Sequence, residues 1–181
     1  MLDSMYELVS TVAQPTDYYQ RLLYVMDGGC VSRFHTVDLI KPPSVGLHSF
    51  EVAWLAFLIS PKPVRVNLIL ACLAHDLPEV VYGDVPGPTK DGEDSTQEMQ
   101  LNINNCCQFP LEDIDRKILK IADKMAVLFT CIKERRLGNR NMEAIWVRQT
   151  KKIRTMIKSG TPEDRVLQAF EEHWNKVVTV G

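Results

Sequence analysis

The sequence predicts an all-α fold, a bundle of helices around one core. Three observations carry that expectation. Apolar residues recur at spacings of three and four along most of the chain. Helix start and stop signals punctuate it at intervals. No segment shows the strict alternation of a half-buried strand. With 181 residues, the chain is expected to form one domain spanning 1–181, long enough to bury a sizeable core.

The elements follow in order. Residues 3–12 and 17–26 have helical periodicity, and Gly28 and Gly29 open a loop that runs to Pro43. Ser44 is placed as an N-cap for a helix over Val45–Ile59, which stops before Pro61. Pro63 suits the first turn of the next helix, "VRVNLILACLAHD", which is apolar nearly all round and is expected in the middle of the bundle. Pro78 disfavours helical geometry at Leu77 and ends it. Residues 83–94 are rich in proline and glycine and read as an irregular loop, followed by a polar helix over 95–107. "PLEDIDRKILKIADKMAVLFTCIKERRLG" is a long amphipathic helix with an apolar stripe of Ile114, Ile118, Ile121, Met125, Leu128 and Ile132. Two further helices are expected over 141–158 and 162–178, the last announced by Thr161, Pro162 and Asp164. Trp146, Phe170 and Trp174 on these helices serve either the core or an interface between copies.

Composition excludes several classes. The formal charge of −2, from 21 basic and 23 acidic residues, gives no basic field for a nucleic-acid polymer. The one basic run, "KERRLGNR" at 133–140, reads as a solvated helix end. Five cysteines without a C-x-x-C pair support neither a disulfide framework nor a cysteine zinc site, and fit a reducing cytoplasm. Cys72 lies in an apolar run and reads as a small core residue. The segment "MLDSMYELVS" does not resemble a signal peptide, and the longest apolar runs are too short to span a bilayer, so no membrane is expected.

The segment "ACLAHDLPEVVYGDVPGPTK" raises a physical question. Asp76 is expected at the C-terminal end of a buried helix, where the helix dipole and burial both penalise a carboxylate. No Lys or Arg lies within a turn of it. A metal ion is one way to supply the missing cation. Asp123 borders the core on the long helix, with Leu119, Ala126 and Val127 one turn away. By itself its plainer reading is an acid at the core edge paired with Lys120 or Lys124. His48 lies in the first turns of an apolar helix, where a hydrogen-bonded core histidine is the plainer reading. Two imidazoles and two carboxylates from three helices together make a suitable set for a divalent transition metal in a bundle core.

The ordered set His48, His75-Asp76 and Asp123 resembles the HD-domain metal-dependent phosphohydrolases. "SRFHTVDLIKPPSVGLHS" and "H-D-x-x-E-x-x-x-x-D-x-P-x-P-x-K" over 75–90 look like the YfbR-like 5′-deoxynucleotidase branch, which shares these segments with short phage dATP triphosphohydrolases. The resemblance is dense over 33–90 and returns at "KIADK". It implies an HD-domain helical bundle with a metal site in its core. His48, His75, Asp76 and Asp123 would be the ligands of a divalent ion (Co, Mn or Zn, with Mg an option). Glu79 would be the catalytic carboxylate, Asp84 would face the sugar or the attacking water, and Arg33 would hold phosphate. Phe34 stands where that branch carries tryptophan, in a position thought to shape the sugar pocket. Lys90 and Lys120 flank the implied ligands and would suit a longer phosphate chain.

The implied activity is hydrolysis of the 5′-phosphate ester of a deoxynucleotide, inclined toward dATP and release of triphosphate. Action on deoxynucleoside monophosphates is the alternative within that chemistry, and a non-catalytic, metal-stabilised helical module is the alternative outside it. The resemblance also implies a homo-oligomer, dimer or hexamer, in the cytoplasm, or in a host's cytoplasm if phage-encoded.

Overall fold

The computed structural model describes residues 18–84 and 109–180. Six helices of nine residues or more and one short helical turn form the described chain: α1 (Tyr18–Cys30), α2 (Val45–Ile59), α3 (Val66–Ala74), α4 (Glu79–Tyr82), α5 (Asp113–Arg136), α6 (Glu143–Met156) and α7 (Pro162–Val180). An isolated bridge between Ser32 and Ser44 is the only β pairing among the described residues. The expected helices at 3–12 and 95–107 and most of the 83–94 loop lie outside the described residues.

α5 is the spine. It packs against α2, α3, α6 and α7. Its expected stripe is buried at Ile118, Ile121, Met125, Leu128 and Ile132, while Ile114 in the first turn is exposed. These side chains join Val52, Ala56, Leu68, Cys72, Ile153 and Leu167 in one hydrophobic cluster. Asp113 and Asp115 at the start of α5, and Lys133, Arg135 and Arg136 at its end, oppose the helix dipole. Trp146 stacks on Trp174 at 4.3 Å between ring centroids, and Phe170 packs against the same cluster, so these aromatic residues are core. The buried thiols of Cys72 and Cys131 are pushed up to about 12 by loss of solvation, as inert core cysteines should be.

Two expectations change. α1 does not stop at residue 26; it continues through Gly28 and Gly29 to Cys30. The glycines are kept helical by what they touch. A Cβ on Gly28 would lie 2.9 Å from Leu77 Cδ2, and Gly29 meets Gly46 of α2 backbone to backbone. Close approach of three segments outweighs the roughly 1 kcal/mol that glycine costs in a helix interior. Nor does α3 sit in the middle of the bundle. Leu68, Ala71 and Cys72 are buried, but Val66, Leu70 and Leu73 are exposed. A nine-residue helix packed on α2 and α5 covers only one of its apolar faces.

Ser44 caps α2 as expected, its hydroxyl accepting from Leu47 N at 3.2 Å. The chain between α1 and α2 is closed at its base by Val45 N donating to Val31 O (2.8 Å) and Arg33 N to Pro43 O (3.0 Å). That closure carries Arg33 and Phe34 toward the HD segment.

Gly46→Ala tests the close approach. Its Cβ would lie 3.0 Å from Gly29 O and 3.2 Å from Gly29 Cα, both backbone atoms that cannot swing away. The helix-propensity gain is about 1 kcal/mol at most, and the overpacking cost about 1–3 kcal/mol. A lower urea midpoint than wild type is the expected outcome.

Candidate metal centre

Four donor atoms converge where α2, the end of α3 and the middle of α5 meet. His48 comes from the first turn of α2, His75 and Asp76 follow α3 directly, and Asp123 projects from α5. His48 Nε2 lies 3.2 Å from Asp123 Oδ1 and 3.5 Å from Asp76 Oδ2. His75 Nε2 lies 3.3 Å from Asp76 Oδ2 and 3.9 Å from Asp123 Oδ1. All four ligand atoms fall within 4.8 Å of one another. Around an ion with bonds of about 2.1 Å, neighbouring ligands stand roughly 3.0–3.4 Å apart and opposite ones roughly 4.2 Å. The cluster has the dimensions of a coordination shell.

The donors also have the right chemistry. His75 Nδ1 lies 2.8 Å from Cys72 O and donates to it, which leaves Nε2 as the lone-pair nitrogen. Nε2 is buried and makes no hydrogen bond among the described residues. An orphaned imidazole nitrogen beside two carboxylates is what a divalent cation satisfies. Burial lowers the His48 pKa below the ordinary imidazole value and keeps that ring neutral. Burial opposes the charge on Asp76, but His75, Arg33 and His48 outweigh it and hold the carboxyl well below the usual carboxylate range. Asp123 is lowered in the same way, with burial outweighed by His48 and His75. For His75 itself, burial is outweighed by Asp76, which raises the ring's pKa, so a cation at Nε2 would compete with a proton there. The residues fit a divalent transition metal.

Around this set lie the other candidates. Arg33, 7% exposed, contacts Asp76 Oδ2 through Nη1. It also reaches Glu79 Oε2 at 3.5 Å and Asp84 Oδ1 at 4.0 Å. Burial disfavours its charge, but Asp76, Glu79, Asp84 and Asp123 reverse that and raise its pKa. Asp76 thus has a cation partner 43 residues away, which no search within one helical turn finds. Phe34 holds φ of +60°, a conformation that costs a bulky residue strain. Two bonds fix it: Phe34 N donates to Asp84 Oδ2 at 2.6 Å, and Val37 N donates to Phe34 O at 2.8 Å. The Arg33 guanidinium stands 5.8 Å from the Phe34 ring centre. Beside this pair opens a cleft of about 410 Å³, also lined by Ser32, His35 and Thr36. Glu79 opens α4 and is buried with Asp84.

Seven of the ten sequence candidates therefore meet in one place: His48, His75, Asp76, Asp123, Arg33, Glu79 and Asp84, with Phe34 beside them. Lys120 is exposed one turn before Asp123 on α5. Lys124, not Lys120, is the lysine near Asp123, at 4.0 Å from Oδ2. Lys90 lies outside the described residues.

One positioning residue was not anticipated. Glu134 is fully buried on α5. Its carboxylate accepts from Ile40 N (2.9 Å), Lys41 N (2.8 Å) and Asn139 Nδ2 (2.7 Å). Asn139 and Asn141 also donate to Asp38 O. Glu134 thus pins the far end of the loop whose near end carries Arg33. Asp123 and Glu134 are eleven residues apart, three helical turns, and so share one face of α5. The signal that singled out Asp123, an acid on a core-bordering flank, applied equally to Glu134.

A family model described as "HD domain" matches residues 31–180. No curated protein matches the chain at a significant level. Among solved structures, the chain is similar to a cyanophage S-2L HD phosphohydrolase, DatZ, bound to dA and one catalytic Zn²⁺ ion. The two share 17% identity, with 90% of this chain and 99% of that one covered at a TM-score of 0.66. It is also similar to the PH0347 protein of Pyrococcus horikoshii OT3, at 19% identity, the same coverage and a TM-score of 0.62.

Asp76→Ala removes the donor shared between both histidines and leaves Arg33 without its nearest acid. It is expected to weaken zinc or cobalt binding by about 100-fold or more. Metal content after dialysis, by mass spectrometry, checks this against wild type.

Proposed function

The chain belongs to the HD-domain family of phosphohydrolases, and from that premise we propose that it hydrolyses the 5′-phosphate ester of deoxynucleotides and releases the deoxynucleoside. The observation that carries this reading is the joining of a metal-ligand cluster to Arg33, Glu79 and Asp84 in one buried site. A structural metal needs none of those three. The cyanophage phosphohydrolase with bound dA supports a deoxynucleoside product, and we incline to dATP as substrate and triphosphate as second product. Action on deoxynucleoside monophosphates is the competing version.

His48, His75, Asp76 and Asp123 would hold a divalent ion, which would supply Lewis acidity toward water and a phosphoryl oxygen. The chain's own groups do the rest. Arg33 presents a planar fork to phosphate oxygens, and its Nε is buried without a hydrogen-bond partner among the described residues, a donor that a phosphate oxygen would satisfy. Glu79 orients the attacking water or hands a proton to the departing 5′ oxygen. Phe34 N fixes one oxygen of Asp84, which leaves the other for the 3′ hydroxyl. The strained Phe34 backbone holds its ring against the sugar. Lys90 and Lys120 would meet the outer phosphates of a triphosphate.

We also infer a homo-oligomer that buries one face of α2. Leu47, Phe50, Trp54, Phe57 and Leu58 are exposed on a helix that is apolar on every side. Trp54 contacts both phenylalanines edge-on. Together they present on the order of 500 Å² of apolar surface, the upper range for one patch on a monomer. A second copy is the occupant this points to. No helix among the described residues is long and apolar enough to cross a membrane.

Incubation with deoxynucleoside mono- and triphosphates plus Co, Mn, Zn or Mg, read by chromatography, tests the activity. Deoxyadenosine and triphosphate from dATP are expected, while phosphate from monophosphates alone would reject the triphosphate version. Glu79→Gln should keep its metal and lose about 10²–10⁴-fold in kcat. Metal-replete wild type without turnover on any nucleotide would favour the non-catalytic module.

Sedimentation tests the assembly. Wild type is expected to sediment as a dimer or larger, and Trp54→Glu as a smaller species with its fold intact by circular dichroism.

A further inference from the structure

The run "KERRLGNR" reads as a solvated helix end in sequence, but the fold gives it company. A cleft of about 470 Å³ is lined by Arg135, Arg136, Arg140, His173 and Lys176, with Gly138 among them. Four of these carry fixed positive charge, in a chain whose formal charge is −2. They arrive from three places: the last turn of α5, the turn after it, and α7. Among the described residues no carboxylate lines the cleft.

Two ordinary uses for these cations fall short. Ion pairing takes Arg135, whose Nε lies 3.5 Å from Glu143 Oε1, but no ion pair holds Arg136, Arg140 or Lys176 among the described residues. Capping the end of α5 does not require them either. Its last carbonyls already accept from the backbone: Leu137 N reaches Lys133 O and Glu134 O, Gly138 N reaches Arg135 O, and Asn139 N reaches Glu134 O. Arg140, His173 and Lys176 lie outside that turn in any case. Arg136 Nη2 donates to His173 Nε2 at 2.5 Å, so the neutral ring carries its proton on Nδ1 and keeps one donor.

We propose that this cleft is a second anion site, for the phosphate chain of a small polyphosphate, free or attached to a nucleoside. Three unpaired cations in one concave surface repel one another until an anion lies between them. Arginine offers phosphate a two-pronged fork and lysine a point charge. The volume accommodates a chain of several phosphates. Gly138, with φ of +87° and open space where a Cβ would stand, lets a ligand approach the backbone there. The site is separate from the metal centre, because Arg135 lies about 18 Å along α5 from Asp123.

The test is calorimetric titration of inorganic tripolyphosphate into the full chain at physiological salt, without added metal. Wild type, Arg33→Ala and the double variant Arg140→Gln/Lys176→Gln are compared. Both altered positions of the double variant are exposed, and its melting curve should match wild type. Binding that persists in Arg33→Ala and weakens at least tenfold in the double variant is the expected result. A parallel titration with ATP distinguishes the source: equal affinity assigns the phosphate chain alone, and tighter binding extends the site to a nucleoside. No binding to wild type at millimolar tripolyphosphate, or equal affinity in the double variant, overturns the proposal. So does an oligonucleotide that binds the cleft while tripolyphosphate does not, which would make it a groove for a polymer.

Discussion

Two carboxylates brought close together inside a helical bundle repel each other and lose most of their hydration, and the rest of the site is arranged to answer that cost. Asp76 and Asp123 stay ionised because His48, His75 and Arg33 stand against them. Yet the compensation is incomplete. Among the described residues, His75 Nε2 and Arg33 Nε are buried without a hydrogen-bond partner. A divalent cation would close the first gap and a phosphate oxygen the second, so that under the proposed function metal and substrate would answer the same electrostatic deficit from two sides.

Such a deficit holds its geometry only on a rigid frame. α5 supplies it. Asp123 sits midway along a helix whose stripe from Ile118 to Ile132 anchors the core, so its backbone is fixed beside the two histidines. The loop before α2 is less regular and is tied at both ends. Backbone bonds close its base at 31–45, and Glu134 receives Ile40 N and Lys41 N at its far end. The strained Phe34 backbone persists because Asp84 and Val37 both hold it. One helix face thus carries both an acid of the candidate metal cluster and a structural acid, about 16 Å apart. The first would bind what the protein lacks, and the second satisfies what its own loop exposes.

Charge is distributed unevenly over the same helix. Its middle faces a concentration of acids, and its end joins α7 in a concentration of cations. A net charge of −2 conceals both, because sums over a chain carry no position.

Most of the described helices, and the four residues that cluster, were legible along the chain. Val45–Ile59 was legible to the residue, because a Ser cap and a following proline bound a continuous apolar run. α5 was legible from its period, and His48, His75, Asp76 and Asp123 from charge placed where burial should forbid it. Tertiary structure decided what depends on partners distant along the chain. Only folding brings Gly28 and Gly29 against Leu77 and Gly46, which extends α1 past its propensity. Only folding gives Asp76 its arginine and Glu134 its loop. Periodicity and capping are local, acting over a few residues. Charge compensation and close backbone approach are set by distance in space, which spacing along the chain does not encode.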